Sequence, residues 1–185
     1  NRLCARFAGQ IFVGFDDAVR RFSNAHAEVL NTGIPLRRAL VASFHDAPSR
    51  RTPEPPFRLF VFGGSQGAHQ INQLMKASLP QLCGLPVEVF HQSGDRDREE
   101  LQGAYRDAGI AAEVVAFETD MPTRYRWADL AICRAGALTV AELALSGLPA
   151  LLIPYPFAAD NHQAANAGAF EREGAAIGLH ELPRD

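Results

Sequence analysis

From Phe57 onward, short apolar runs alternate with longer segments in which apolar residues recur at helical spacing. The apolar runs predict six strands, at FRLFVFGG (57–64), VEVFHQSG (87–94), EVVAF (113–117), LAICR (130–134), PALLIPYP (149–156) and AAIGL (175–179). The segments between them predict five helices, over residues 68–82, 95–109, 122–128, 138–147 and 161–174. Strands that are apolar throughout and alternate with helices favour a buried parallel sheet covered on both faces. We therefore predict an α/β fold, a Rossmann-like doubly wound parallel sheet that binds ligands at the carboxyl ends of its strands.

The first 56 residues follow another pattern and predict a separate region. QIFVGF (10–15) favours a strand, and AEVLNTGIPLR (27–37) favours a strand followed by a turn. Residues 43–56 carry four prolines and favour an exposed, semi-extended segment. The chain lacks an initiating Met and stops at LPRD, so we expect a piece of a longer protein, truncated at its C-terminus. We predict three parts: residues 1–36 as the end of an N-terminal domain, 37–56 as a linker and 57–185 as a C-terminal ligand-binding domain.

Composition and charge exclude several classes of protein. Hydrophobic residues make up 47% of the chain and charged residues 21%, which is typical of a packed globular protein and not of a disordered one. The net charge of −3 argues against a general nucleic-acid binder. No apolar run approaches the ~18–20 residues needed to cross a bilayer. Three distant cysteines, Cys4, Cys83 and Cys133, predict neither a disulfide framework nor a zinc site, which favours a reducing cytosol.

A glycine-rich turn, GGSQGA, joins the strand at 57–64 to the helix that follows it. Glycines allow a sharp turn and a close approach to a phosphate, and the N–H groups of a helix start attract an anion. The turn matches neither the dinucleotide fingerprint nor a P-loop. Two interpretations are open: a phosphate-binding loop that uses Gly63, Gly64 and Gly67, and a tight turn without a ligand.

The segment CRAGALTVAE forms a second strand-to-helix junction, where Gly136 and Ala137 would present backbone N–H groups. Thr139 and Glu142 have the spacing of a capping box. Alternatively, the Glu142 carboxylate accepts hydrogen bonds from sugar hydroxyls, because an ionised carboxylate is an acceptor only. A carboxylate beside a ribose and N–H groups beside a phosphate would together describe a nucleotide site.

A third junction, DNHQAANA, gathers polar side chains between the strand at 149–156 and its helix. These amides suit a sugar rich in hydroxyl groups, although Asp160 could instead cap the helix while its neighbours are solvated. The histidines outside this junction show no pairing with a carboxylate that the sequence can establish. We expect surface or core residues rather than general bases, and His69, which follows the first glycine turn, is the best candidate for a base among them. We interpret the charge run DRDREE (95–100) as a solvated helix start.

These motifs, in this order and spacing, resemble the MurG family of glycosyltransferases. The resemblance rests on GGSQGA, HQSG, YRWADLAICRAGALTVAELALSGLPALLIPYP and DNHQAANA, and NTGIPLR is similar to the family's G-x-P-x-R element. It implies a two-domain GT-B fold, with residues 57–182 in the C-terminal, nucleotide-sugar-binding domain. It further implies inverting transfer of N-acetylglucosamine from UDP-N-acetylglucosamine to lipid I, the undecaprenyl-linked muramyl-pentapeptide. The product would be lipid II for peptidoglycan, and the resemblance implies that it is made at the cytoplasmic side of the bacterial plasma membrane.

The resemblance also implies a set of residues for binding the UDP-sugar: Arg37, Ser65, Glu118, Ala137, Leu138, Thr139, Val140, Ala141, Glu142, His162 and Gln163. Within it, the Glu118 backbone would contact the uracil, and the N–H groups of residues 137–139 would bind the diphosphate. Glu142 would bind the ribose, and His162 or Gln163 the sugar hydroxyls. Gly136 joins the three glycines of the first turn as a phosphate-loop residue. We expect no metal and no cofactor.

No catalytic residue is expected in this chain, since the general base, the acceptor site and the membrane surface would belong to the N-terminal domain. Two alternatives share the features of the donor site. One is another GT-B transferase that moves a sugar from UDP to a glycolipid or a small acceptor. The other is a non-catalytic module that binds nucleotide-sugars.

Overall fold

A computed structural model of the protein describes residues 3–23, 26–47, 49–64, 68–158 and 161–179. Two compact units make up the chain, Asn1–Arg38 and Ala39–Asp185. Within the described ranges, no helix is long and apolar enough to cross a membrane.

The first unit holds a short 3₁₀ turn and one pair of parallel strands. Its elements are the turn Cys4–Arg6, β1 (Gln10–Val13), α1 (Asp16–Arg20) and β2 (Glu28–Asn31). The two strands pair in register from Gln10 opposite Glu28 to Val13 opposite Asn31. Asn31 Nδ2 donates to Asp16 Oδ1 at 2.7 Å, which ties the end of β2 to the start of α1.

The remainder of the chain alternates helices and strands as the sequence predicts. Its elements are α2 (Arg38–His45), β3 (Phe57–Phe62), α3 (His69–Leu82), β4 (Val87–Gln92), α4 (Arg98–Asp107), β5 (Ala111–Val115), α5 (Met121–Trp127), β6 (Leu130–Cys133), α6 (Ala137–Ser146), β7 (Ala150–Leu152), α7 (His162–Arg172) and β8 (Ala176–Gly178). Strands β3 to β8 form one six-stranded sheet in the order β5-β4-β3-β6-β7-β8, and every pair is parallel. This order is that of a doubly wound dinucleotide-binding sheet, so the predicted fold class is confirmed.

The sheet is buried on both faces because its central strands are apolar on both sides of the pleat. On one face, Leu59 and Val61 of β3 pack with Ile71, Met75 and Leu79 of α3. On the other face the core is aromatic: the rings of Phe60 and Phe62 stack at 4.4 Å. The Tyr125 ring of α5 lies 5.9 Å from that of Phe60.

Two details differ from the sequence prediction. Strand β5 begins and ends two residues earlier than EVVAF, because its register with β4 pairs Glu88 with Ala111 and Gln92 with Val115. The segment predicted as extended over residues 43–56 begins inside α2, which continues to His45. The prolines that follow α2 favoured an extended segment and outweighed the helical spacing of the apolar residues in α2.

The chain after α2 is anchored by two arginines. The Arg50 guanidinium donates to the carbonyl oxygen of Tyr125 at 2.9 Å, and also to that of Ala128. Arg51 Nη2 lies 2.7 Å from Asp129 Oδ2. Carbonyls at the end of a helix carry partial negative charge, so these contacts fix the chain before β3 against the end of α5.

Candidate ligand-binding site

A cavity of ≈ 920 Å³ lies at the carboxyl edge of the six-stranded sheet, and all three predicted motifs contribute to its lining. Gly63 and Gly64 come from the first motif, Gly136 and Thr139 from the second, and Gln163 from the third. The motifs meet because β3 and β6 are neighbours in the sheet. The helix after β3 leads to β4 on one side, and the helix after β6 leads to β7 on the other side. Doubly wound sheets bind their ligands at this switch point.

The glycine turn begins in a conformation that requires glycine. Gly64 has a φ of +96°, a region that residues with a side chain rarely adopt. Its carbonyl accepts a hydrogen bond from Gln92 Nε2 at 2.6 Å, which ties the turn to the end of β4. Ser65 and Gly67, also predicted for this loop, lie outside the described residues.

The start of α6 offers backbone donors to the cavity edge. Gly136 is the N-cap of α6 and has no side chain that could cap the helix. The first intrahelical hydrogen bond runs from Val140 N to Gly136 O at 2.9 Å. Helix geometry therefore leaves the N–H groups of residues 137–139 without an intrahelical acceptor. Together they carry about half a positive charge. The Val140 side chain is buried in the core, so that residue offers no side chain to a ligand.

The capping-box interpretation of Thr139 and Glu142 is wrong. Gly136, and not Thr139, occupies the N-cap position, and Glu142 Oε2 accepts from the Tyr125 hydroxyl at 2.7 Å. Burial, followed by the charge of Glu142, raises the pKa of Tyr125 above its ordinary value. The Tyr125 ring packs in the aromatic core, and its hydroxyl fixes one oxygen of Glu142 and leaves the other for a further donor.

The third motif closes the same edge through side chains of α7. Gln163 Oε1 accepts from Tyr155 N at 2.9 Å, which leaves the amide N–H groups of this cavity residue as donors. Asn166 Nδ2 donates to Ala135 O at 3.0 Å and so ties α7 to the RAGA turn. His162 is exposed at the first residue of α7. The predicted cap Asp160 lies outside the described residues.

Arg134 is a site residue that the sequence reasoning missed. Its guanidinium donates to Gln70 Oε1 at 2.9 Å and to Ile153 O at 3.1 Å, and it lines the cavity. Burial lowers the pKa of Arg134, and the nearby Tyr155 opposes that shift. No carboxylate in the described ranges forms an ion pair with it, so its positive charge is available to a bound anion. Its place directly after a buried strand, at the edge where ligands bind, could have revealed it.

Glu118 and Arg37 are not among the residues that line the cavity. Glu118 Oε2 accepts from Arg124 Nε at 2.6 Å, and Glu118 Oε1 accepts from Asp120 N at 2.7 Å. Partial burial opposes ionisation of Glu118, but these hydrogen bonds and the Arg124 charge lower its pKa overall. The side chain is thus satisfied within the protein, and a ligand would meet only the main chain there. Arg37 belongs to the first unit, and its role stays a prediction.

His69 is paired with a carboxylate, a contact that the sequence could not establish. It lines the cavity, and its Nδ1 lies 2.7 Å from Asp97 Oδ2. Asp97 comes from the charge run predicted to be solvated, yet it is only 5% exposed, because it turns inward just before α4. Burial opposes ionisation of Asp97, but hydrogen bonds from Asn72 and His69 lower its pKa overall.

Behind this pair lies a chain of buried hydrogen bonds. Asn72 Nδ2 donates to Asp97 Oδ2 at 2.7 Å and to Ser93 O at 2.9 Å. Its Oδ1 must then accept from His91 Nε2, 3.0 Å away, which leaves His91 Nδ1 to accept from the Tyr105 hydroxyl at 3.0 Å. Burial lowers the pKa of His91 to about 4, although Asp97 opposes the shift. His91 is therefore neutral near pH 7, with its proton on Nε2.

Comparison with known proteins places this site in a family context. Residues 58–182 match the glycosyltransferase family 28 C-terminal domain. The chain is 41% identical over 98% of its length to the UDP-N-acetylglucosamine--N-acetylmuramyl-(pentapeptide) pyrophosphoryl-undecaprenol N-acetylglucosamine transferase of Geobacter metallireducens, covering 50% of that protein. It is 43% identical to the enzyme of the same name from Anaeromyxobacter sp. (strain Fw109-5), covering 98% of this chain and 47% of the relative.

Among solved structures, the crystal structure of Acinetobacter baumannii MurG superposes with a TM-score of 0.73 and 35% identity, covering 96% of this chain and 48% of that one. The resemblance to the MurG family is confirmed. The chain spans about half the length of the curated relatives it matches.

Proposed function

We propose that this chain, which belongs to glycosyltransferase family 28, is the donor-binding half of an N-acetylglucosamine transferase. The donor is UDP-N-acetylglucosamine, the acceptor is lipid I, and the product is lipid II for peptidoglycan. The observation that carries the proposal is the cavity at the switch point of the sheet, which joins Gly64, Gly136 and Gln163 from three separate motifs.

The chemistry of the cavity suits the diphosphate of a nucleotide-sugar. The N–H groups of residues 137–139 and the Arg134 guanidinium provide positive charge without a metal. As the bond from the anomeric carbon to the diphosphate breaks, its electron pair stays on the leaving UDP, and that charge grows. Fixed donors stabilise it more in the transition state than in the ground state, which lowers the barrier.

Glu142 is the proposed partner of the ribose hydroxyls. Tyr125 holds one of its oxygens at 2.7 Å, so the other can accept from a hydroxyl of the ligand. Gln163 is the proposed partner of the sugar hydroxyls through its amide N–H groups, since its oxygen is taken by Tyr155 N.

The acceptor site and the general base are proposed to lie outside the second unit. The named relatives act on an acceptor linked to undecaprenol, a long apolar lipid. This supports the proposal that the whole protein works as a peripheral enzyme at the cytoplasmic side of the bacterial plasma membrane.

Calorimetric titration of the full-length protein with UDP-N-acetylglucosamine tests the proposal, with UDP-glucose and NADH as comparison ligands. Glu142→Ala should weaken binding about tenfold or more, because a hydrogen bond to a charged acceptor is worth ~1.5–3 kcal/mol. The matched control is Glu113→Ala, at an exposed glutamate of β5, which should leave affinity unchanged. Equal binding of UDP-glucose would contradict the sugar assignment, and preferential binding of NADH would overturn the proposed function.

A further inference from the structure

The strongest feature that the proposed function does not use is the His69–Asp97 pair at the cavity. The His69 side chain is 50% exposed while that of its partner Asp97 is 7% exposed. The pair therefore places the buried Asp97 carboxylate behind an imidazole that is open to the cavity. His69 Nδ1 is taken by Asp97, and within the described part of the chain Nε2 has no protein hydrogen-bond partner.

The buried hydrogen bonds behind the pair fix where the carboxylate lies. Asn72, itself only 1% exposed, donates to Asp97 while its own oxygen is held by His91. Each donor in this chain points toward Asp97: Tyr105 to His91, His91 to Asn72, and Asn72 to Asp97. A carboxylate held in this way orients the imidazole through Nδ1 and leaves Nε2 as the ring nitrogen available to a ligand.

The charges at this part of the cavity favour an anionic ligand. Arg134 lines the same cavity and contacts neutral oxygens of Gln70 and Ile153. Among the described residues, Arg96 also pairs with Asp97, and its Nε lies 3.8 Å from Asp97 Oδ1. An imidazolium that donates through Nδ1 to Asp97 can donate a second, charge-assisted hydrogen bond through Nε2 to a phosphate oxygen.

We propose that His69, oriented by Asp97, binds the diphosphate of the nucleotide through Nε2. The inference rests on the proposed function, since it assigns a further contact within the same donor site. It makes His69 a ligand-binding residue and Asp97 a positioning residue. Asn72 and His91 support Asp97 from inside the core.

The test compares UDP with uridine, which has the same base and ribose but no phosphate. Affinities are measured on the full-length protein by competition against UDP-N-acetylglucosamine. His69→Gln should weaken UDP binding about tenfold or more and leave uridine binding unchanged, because only UDP loses a charge-assisted hydrogen bond. His69→Arg, which presents a cationic donor to the phosphate, should restore most of the UDP affinity. The control His45→Gln, at an exposed histidine of α2, should change neither affinity.

The UDP-to-uridine ratio separates a ligand contact from a structural role. Equal weakening of both ligands in His69→Gln would overturn the inference, since a local distortion acts on the whole site. A His69→Gln protein that binds UDP as the wild type does would also overturn it, while the proposed function stands. A wild-type protein that binds neither UDP nor UDP-N-acetylglucosamine would overturn both. Should His69→Gln be poorly folded, His69→Ala gives the same ratio.

Discussion

The two sides of the cavity are built in different ways, although both lie at the carboxyl edge of one sheet, on the strands β4 and β6 that flank β3. On the β4 side, a chain of buried side chains runs from Tyr105 through His91 and Asn72 to Asp97. On the β6 side, the donors are backbone N–H groups at the start of α6, and Glu142 is only half-buried.

This difference determines which single substitutions each side of the cavity tolerates. A buried polar group that loses its partner keeps the full cost of its desolvation, whereas a group near solvent can bond to water instead. The β4 side should therefore be rigid and sensitive to single substitutions. The β6 side should lose ligand affinity on substitution more readily than it loses stability.

The largest effect is expected for Asn72→Ala. Asn72 connects three partners, His91, Ser93 and Asp97, and each would be left buried without this hydrogen bond. Losing a buried network of this kind should lower the free energy of unfolding by about 3–5 kcal/mol. Urea unfolding followed by circular dichroism measures it. The neighbouring Gln73 is exposed on α3, so Gln73→Ala should cost less than about 0.5 kcal/mol. Similar costs for the two variants would contradict a sensitive β4 side.

The pH dependence of stability gives the next largest effect. Burial lowers the pKa of His91 from 6.5 to about 4, so the unfolded chain binds this proton more readily than the folded one. The stability due to neutral His91 is fully present above about pH 6.5 and is lost as the pH falls toward about 4. The loss over this window should be on the order of 3 kcal/mol, since each pKa unit corresponds to about 1.4 kcal/mol.

Urea unfolding between pH 7 and pH 4.5 checks this prediction. In a folded His91→Gln variant the slope should become flatter, because glutamine does not titrate. Protonation of Asp97 adds to the loss only at lower pH, since its pKa is also lowered. An unchanged slope in His91→Gln would mean that His91 is not the group responsible.

The two sides also differ in how far the sequence reveals them. The backbone donors of the β6 side could be predicted because they depend on neighbours in the sequence. Gly136 and the residues after it are adjacent in the chain and follow a strand that is apolar throughout. The six strands could be predicted for the same reason, since each strand is a short run of apolar residues. Their parallel arrangement could be predicted because these runs alternate with helices.

The β4 side could not be predicted because it depends on residues that come together only in the fold. His69 and Asp97 are separated by a helix, a strand and a turn, and nothing local shows that Asp97 turns inward. Its charged neighbours favoured a solvated helix start instead. Arg134 directly follows a buried strand at the edge where ligands bind, which is a signal in the sequence, but its contacts with Gln70 and Ile153 also form only in the fold.

A matched pair of tyrosines gives the smallest and sharpest comparison of the two sides. Tyr105 and Tyr125 are both 0% exposed, and each hydroxyl donates to one partner, His91 and Glu142 respectively. Tyr105→Phe leaves His91 Nδ1 buried without a donor and should cost about 2 kcal/mol of unfolding free energy. Tyr125→Phe frees a half-buried carboxylate that water can reach, and should cost about 1 kcal/mol. Urea unfolding of both variants under one set of conditions measures the difference, and a larger cost for Tyr125→Phe would reverse the assignment of the sensitive side.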